Sequence, residues 1–141
     1  MLTVPIEVTT TVDAATAVEA ANAVAMAGAD LIEWRLDSIV GVEGVNACVS
    51  TLMRETTAGS LLTCRSVEEG GSYQAGDDDF AAWCTEISGL AERPDWVDVE
   101  YAVWRRSQRV QAAAILLRER GIKVLLSWHD FRARPHDLLR T

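Results

Sequence analysis

Short β-branched runs alternate with longer stretches of helical spacing along the whole chain. Residues 4–10 have the composition of a strand. Asp13 stands where an N-cap belongs, ahead of an alanine-rich helical stretch to about residue 27, and Gly28 follows as a C-terminal glycine. The pattern then predicts a strand over 30–37, a helix over 42–56 and a strand over 60–66. A third helix is predicted over 80–92, closed off by Pro94. Residues 96–101 read as a fourth strand, 104–120 as a fourth helix stopped by Gly121, and 123–129 as a fifth strand. Pro135 falls in the first turn of a fifth helix. The intervening segment 68–79, EEGGSYQAGDDD, is polar and glycine-bearing and reads as an exposed, mobile loop.

Strands alternating with helices imply an α/β fold with parallel pairing through right-handed crossovers. A doubly wound open sheet would carry a glycine-rich turn after its first strand. Here that turn reads TTTVDAA, without glycine, which favours a TIM-barrel-type (β/α)8 fold. Such a barrel takes roughly 250 residues. The 141 residues therefore predict a single incomplete barrel domain over 1–141, with about five strands and four helices and without the C-terminal strands. An incomplete barrel leaves strand edges open, so a homo-oligomer, or dependence on the missing barrel half, is expected.

Charge inside the strand patterns locates the candidate chemistry. In Ile32-Glu33-Trp34-Arg35-Leu36-Asp37 the charged residues share one face and the apolar ones the other. The same alternation groups Leu61, Thr63 and Arg65 on the third strand, Asp98 and Glu100 on the fourth, and Leu125, Ser127 and His129 on the fifth. Glu69 follows Arg65 at a spacing of four. Facing a barrel axis, these positions would gather arginines, carboxylates and a histidine in one pocket. A pocket of both signs could also satisfy itself without a substrate. Asp98 and Glu100 suit either the site or its scaffold. His136 reads as a solvated residue at a helix start, and the acidic run 77–79 as a solvated helix N-terminus.

Composition narrows the classes. A 49% hydrophobic content supports a folded globule, and the apolar runs are too short and too charged for a transmembrane helix, so no membrane partner is expected. The first ten residues lack the basic and apolar regions of a secretory signal. Cys48, Cys64 and Cys84 are odd in number and widely spaced, which fits neither a disulfide framework nor a metal site and suits a cytoplasmic protein. The net charge of −8 argues against nucleic acid. Any anionic substrate must be held by local arginines against that field.

The segments ADLIEWRLDSI, LLTCRSVEEGG, WVDVEY and KVLLSWHDF, in that order and on successive strands, resemble type I 3-dehydroquinate dehydratase, an aldolase-class barrel lyase of the shikimate pathway. The resemblance runs from about residue 4 to residue 135. It implies that Glu33, Arg35 and Arg65 bind the substrate, that His129 is the general acid/base and that Glu69 pairs with and orients it. Thr9 falls where the family has a small hydroxyl near the substrate. The implied reaction is dehydration of 3-dehydroquinate, a small anion, to 3-dehydroshikimate, with no metal and no organic cofactor. In the family a lysine first forms a Schiff base with the ketone, and histidine takes the adjacent proton. Here the sequence departs. Lysine in this sequence is Lys123 alone, at the start of the fifth strand, about 20 Å from His129 at roughly 3.3 Å per strand residue. Other departures are Arg134 before Pro135, where the family usually has threonine, and the bulky Trp128 beside the histidine. The expectation is a dehydratase segment inactive by itself. The alternative is a non-catalytic remnant that binds a small carboxylate or a protein. An unrelated sugar-phosphate aldolase or isomerase is disfavoured because no phosphate-binding glycine turn is seen.

Overall fold

A computed structural model describes residues 1–130. Phe131, Arg134, Pro135 and His136, with the predicted fifth helix, lie outside the described residues. The strands are β1 (Thr3–Glu7), β2 (Leu31–Arg35), β3 (Gly59–Thr63), β4 (Trp96–Glu100) and β5 (Lys123–Ser127). The helices are α1 (Ala14–Met26), α2 (Val45–Glu55), α3 (Asp77–Ser88), α4 (Tyr101–Arg106) and α5 (Gln108–Glu119), with a short 3₁₀ helix at Val67–Glu69. The strands pair in parallel in the order β1-β2-β3-β4-β5. That uniform succession is the barrel arrangement; a doubly wound sheet would reverse its order at a switch point.

Register decides what each face does. Leu31 lies beside Gly59, Glu33 beside Leu61, and Asp98 beside Leu125, so these residues share the concave face. The alternate positions Ile32, Trp34, Leu62, Val97 and Val99 face the helices and form the core with Val49, Leu52, Trp83, Ile87 and Leu117. Trp34 is fully buried there, and its indole N–H donates to Ser60 Oγ at 3.2 Å, which satisfies the ring's polar atom. Apolar residues thus hold the sheet to its helices, and the charged alternation is left to the other side.

The elements differ from the sequence expectation where hydrogen bonding overrides pattern. The predicted helix over 104–120 is two helices. Ser107 adopts extended geometry between them, and its Oγ accepts from the Val110 N–H at 3.2 Å, restarting the chain as α5. The third helix begins at Asp77, three residues before Phe80, with Asp77–Asp79 in its first turn, where carboxylates complement the helix dipole. Asp13 precedes α1 but makes no side-chain cap. Segment 68–79 is mostly exposed, as expected, but two of its side chains turn inward. Glu69 and Tyr73 are buried, and a bridge pairs Ser66 with Tyr73. The strands end earlier than predicted, which places Thr9, Asp37, Arg65 and His129 just past the carboxyl ends of β1, β2, β3 and β5.

Candidate active site

Arg65 stands two residues beyond β3, on the concave side, and its guanidinium is buried. Nη2 reaches Asp98 Oδ2 at 3.1 Å, and Nη1 reaches Glu100 Oε2 at 3.2 Å and donates to Ser127 Oγ at 3.0 Å. Ser127 in turn donates to Asp98 Oδ1 at 2.7 Å. Glu100 also accepts from the Ser66 N–H at 2.9 Å and the Ser66 hydroxyl at 2.6 Å. Glu69 Oε1 lies 3.9 Å from Arg65 Nη1. One guanidinium therefore serves three buried carboxylates, Glu69, Asp98 and Glu100. Burial pushes the Asp98 carboxyl above its usual range; Arg65 and the Ser127 hydroxyl pull it down without cancelling that rise.

Glu69 and His129, which the resemblance pairs, are in contact here. Glu69 Oε1 accepts the backbone N–H of His129 at 2.9 Å and lies 3.3 Å from its ring Nδ1. The loop after β3 makes this contact. Gly70 adopts φ +91°, in the left-handed region that favours glycine. Gly71 packs so tightly on the Arg65 backbone that a Cβ would collide with its carbonyl. The Gly71 N–H donates to Ser66 O at 2.7 Å and the Tyr73 N–H to Arg65 O at 3.0 Å. The chain doubles back on itself and plants Glu69 beneath the end of β5.

Arg35 lies apart from this cluster. Its Nε and Nη2 hold Asp37 Oδ1 and Oδ2 at 3.2 and 2.6 Å. Burial pushes the Asp37 carboxyl up, but the Arg35 fork and the backbone N–H groups of Arg65 and Ser72 outweigh it and leave the group below its ordinary value. Glu33 lines the concave face together with Arg65, Asp98, Ser127 and His129, around an open cavity of about 320 Å³ floored by Leu31, Leu61, Trp96 and Leu125. Thr9 is exposed in the β1–α1 connection. Lys123 sits at the opposite end of the sheet, its Nζ 5.0 Å from the centre of the Trp96 ring.

Sequence reasoning left Asp98 and Glu100 open between site and scaffold, and the geometry makes both direct partners of Arg65. It assigned no function to Asp37, Ser66 or Ser127. Asp37 could have been found as the third charged member of the β2 alternation. Ser127 carries the same alternation signal on β5, and Ser66 carries none.

A parallel α/β sheet of barrel order, with arginine, carboxylates and histidine converging past its carboxyl ends, has the build of one side of a barrel enzyme's active-site mouth. The chain belongs to the type I 3-dehydroquinase family, whose model matches residues 3–140. It is 34% identical over 113 residues to a 3-dehydroquinate dehydratase of Methanosarcina barkeri, covering 77% of this chain and 45% of that protein. It is 27% identical over 111 residues to one of Streptococcus sanguinis, covering 79% of this chain and 46% of that protein. The type I enzyme of Clostridium difficile, solved with covalently modified comenic acid, superposes with a TM-score of 0.79 at 28% identity, over 95% of this chain and 52% of that one. The Enterococcus faecalis enzyme superposes with a TM-score of 0.75 at 26% identity, over 95% and 55% of the two chains. The chain thus spans about half the length of these relatives, and its fold is a partial barrel.

Proposed function

We propose that this chain supplies the acid/base and substrate-binding side of a site that dehydrates 3-dehydroquinate. The observation that carries this reading is the two-point hold of Glu69 on His129, through its backbone N–H and its ring Nδ1. A carboxylate at Nδ1 favours the tautomer protonated there, which makes Nε2 the basic nitrogen. A base so oriented removes the proton beside the substrate's carbonyl and later returns a proton to the departing hydroxyl. Arg35 and Glu33 bind the substrate's polar groups, and Thr9 stands at the rim above β1.

The same reading needs an amine to capture the ketone as an iminium, which draws electrons from the adjacent C–H bond. Lys123 is not that amine, because it stacks on Trp96 at the far end of the sheet. This placement favours a second reading, in which the chain by itself binds the small anion without turning it over. Borohydride trapping in the presence of 3-dehydroquinate, followed by intact-mass and peptide analysis, tests the assignment. The chain alone is expected to bind the ligand, seen as chemical-shift changes at His129 and Arg35, and to keep its mass. A reduced adduct on Lys123 would overturn the division of labour, and absence of any binding would overturn both readings.

A further inference from the structure

We infer that the cavity between the segment after β3, α3 and α4 binds a small organic cation, an ammonium group carried on a single apolar ring. The inference goes beyond the proposed function and does not rest on it.

The cavity holds about 250 Å³ and shares no lining residue with the one on the concave face. Its inner wall is Cys64, Tyr73, Phe80 and Val103, all buried and all part of the core on the helix side of the sheet. The Tyr73 hydroxyl donates to Gly76 O at 3.0 Å, so its polar atom is already used and the ring is left as apolar surface. Tyr73 and Phe80 meet edge-on, with centroids 6.4 Å apart, and form a fixed aromatic corner. Burial pushes the Cys64 thiol up, so it stays neutral. An apolar cavity of about 150 Å³ already takes benzene. This one therefore has room for one ring and a short substituent.

Charge sets the class of the occupant. Glu68, Asp77 and Glu100 line the cavity against one cation, Arg106. Arg106 gives Nε to Asp77 Oδ2 at 2.7 Å and Nη2 to Asp77 Oδ1 at 2.9 Å, so that pair balances itself. Those hydrogen bonds first, and then the fields of Asp77, Glu68 and Glu100, push the Arg106 guanidinium above its ordinary value. Glu100 shares Arg65 with Glu69 and Asp98. Glu68 is exposed and, among the described residues, makes no hydrogen bond or ion pair. The excess here is negative, as it is over the whole chain, whose net charge is −8. An anion is repelled by that excess, and a neutral ring leaves Glu68 unused. An ammonium on a ring gains the apolar wall, the carboxylate and the cation–π attraction of the aromatic corner together.

The cavity also reaches the back of the Arg65 cluster. Ser66 lines it beside Glu100, and the Ser66 N–H and hydroxyl both donate to the carboxylate that holds Arg65. An occupant therefore lies against the group that anchors this arginine.

The test titrates the whole chain, labelled with ¹⁵N, with benzylammonium, benzoate and methylammonium. Benzylammonium is expected to give saturable shifts at the amides of Tyr73, Phe80 and Val103 and to leave the amide of Leu125, on the concave face, in place. Benzoate has the same ring with the opposite charge, and methylammonium has the charge without the ring. Each should bind about tenfold more weakly or worse. Glu68→Gln, an exposed change that leaves the core alone, should weaken benzylammonium about threefold. Absence of saturable shifts at the cavity amides would overturn the proposal. So would equal binding of benzoate or methylammonium, or undiminished affinity in Glu68→Gln. No arm of the test contains 3-dehydroquinate, so its failure is distinct from a failure of the proposed function.

Discussion

Asp37 and Asp98 are both buried carboxylates beside an arginine, yet their surroundings move them in opposite directions. Asp37 has a two-bond fork and two backbone donors, and these prevail over burial. Asp98 shares its arginine with two other carboxylates, and burial prevails. Linkage turns the first case into a prediction. A carboxyl whose native value is depressed adds stability that is complete above its unfolded value, about 3.9, and is lost as pH falls through the native value. Denaturant titrations at pH 6 and pH 3 should therefore show a loss in the natural protein that Asp37→Asn does not share from this group. At pH 6 that variant should already be less stable, by about 1.5 kcal/mol, because it weakens charge-assisted hydrogen bonds to a half-open arginine. Equal pH slopes for the two proteins would contradict the assignment. Glu69→Gln is expected to leave the fold intact and to loosen His129, read as faster exchange of the His129 amide that the carboxylate now holds at 2.9 Å.

At the scale of the element, the segment after β3 is exposed over most of its length but inward-turned at Glu69 and Tyr73. Glycines and charges made residues 68–79 look exposed. Yet the adjacent glycines let the chain turn back against Arg65, which buries Glu69 and Tyr73. Replacing Gly71 by alanine forces a Cβ into the Arg65 carbonyl and is expected to cost about 2 kcal/mol. It should also release the Glu69–His129 contact, and both effects can be followed by thermal unfolding and amide exchange. An unchanged melting temperature would show that the loop accommodates the extra carbon. Strands and helices were legible because burial on one face imposes a period on the sequence, as in Ile32, Trp34 and Leu36. The break at Ser107 was not legible, since a serine cap inside an apolar helical pattern leaves the period unbroken. The pairing of Arg65 with Glu100 joins residues 35 positions apart. Periodicity put both on the concave face, but no local rule could say that one arginine is enclosed and the other half open.

For the whole molecule, among the described residues the parallel sheet has β1 and β5 as its outer strands, and its concave face is open above Leu31, Leu61 and Leu125. Leu125 and Leu126 are exposed on opposite sides of β5, and Trp128 beyond them is 70% exposed. Edges with apolar flanks recruit further strands. Light scattering on the isolated chain is expected to report species heavier than 15.4 kDa, and Leu126→Lys should reduce them. A monodisperse, cooperatively unfolding monomer would refute this. At the same scale, Arg65, Glu69 and His129 gather past the carboxyl ends of the strands, and Lys123 lies at the opposite end of the sheet. The most direct measurement is a long-range proton–nitrogen correlation spectrum of the His129 ring, recorded with and without 3-dehydroquinate. The account predicts a ring protonated at Nδ1 whose Nε2 resonance shifts on addition of the ligand. A ring protonated at Nε2, with signals indifferent to the ligand, would contradict it.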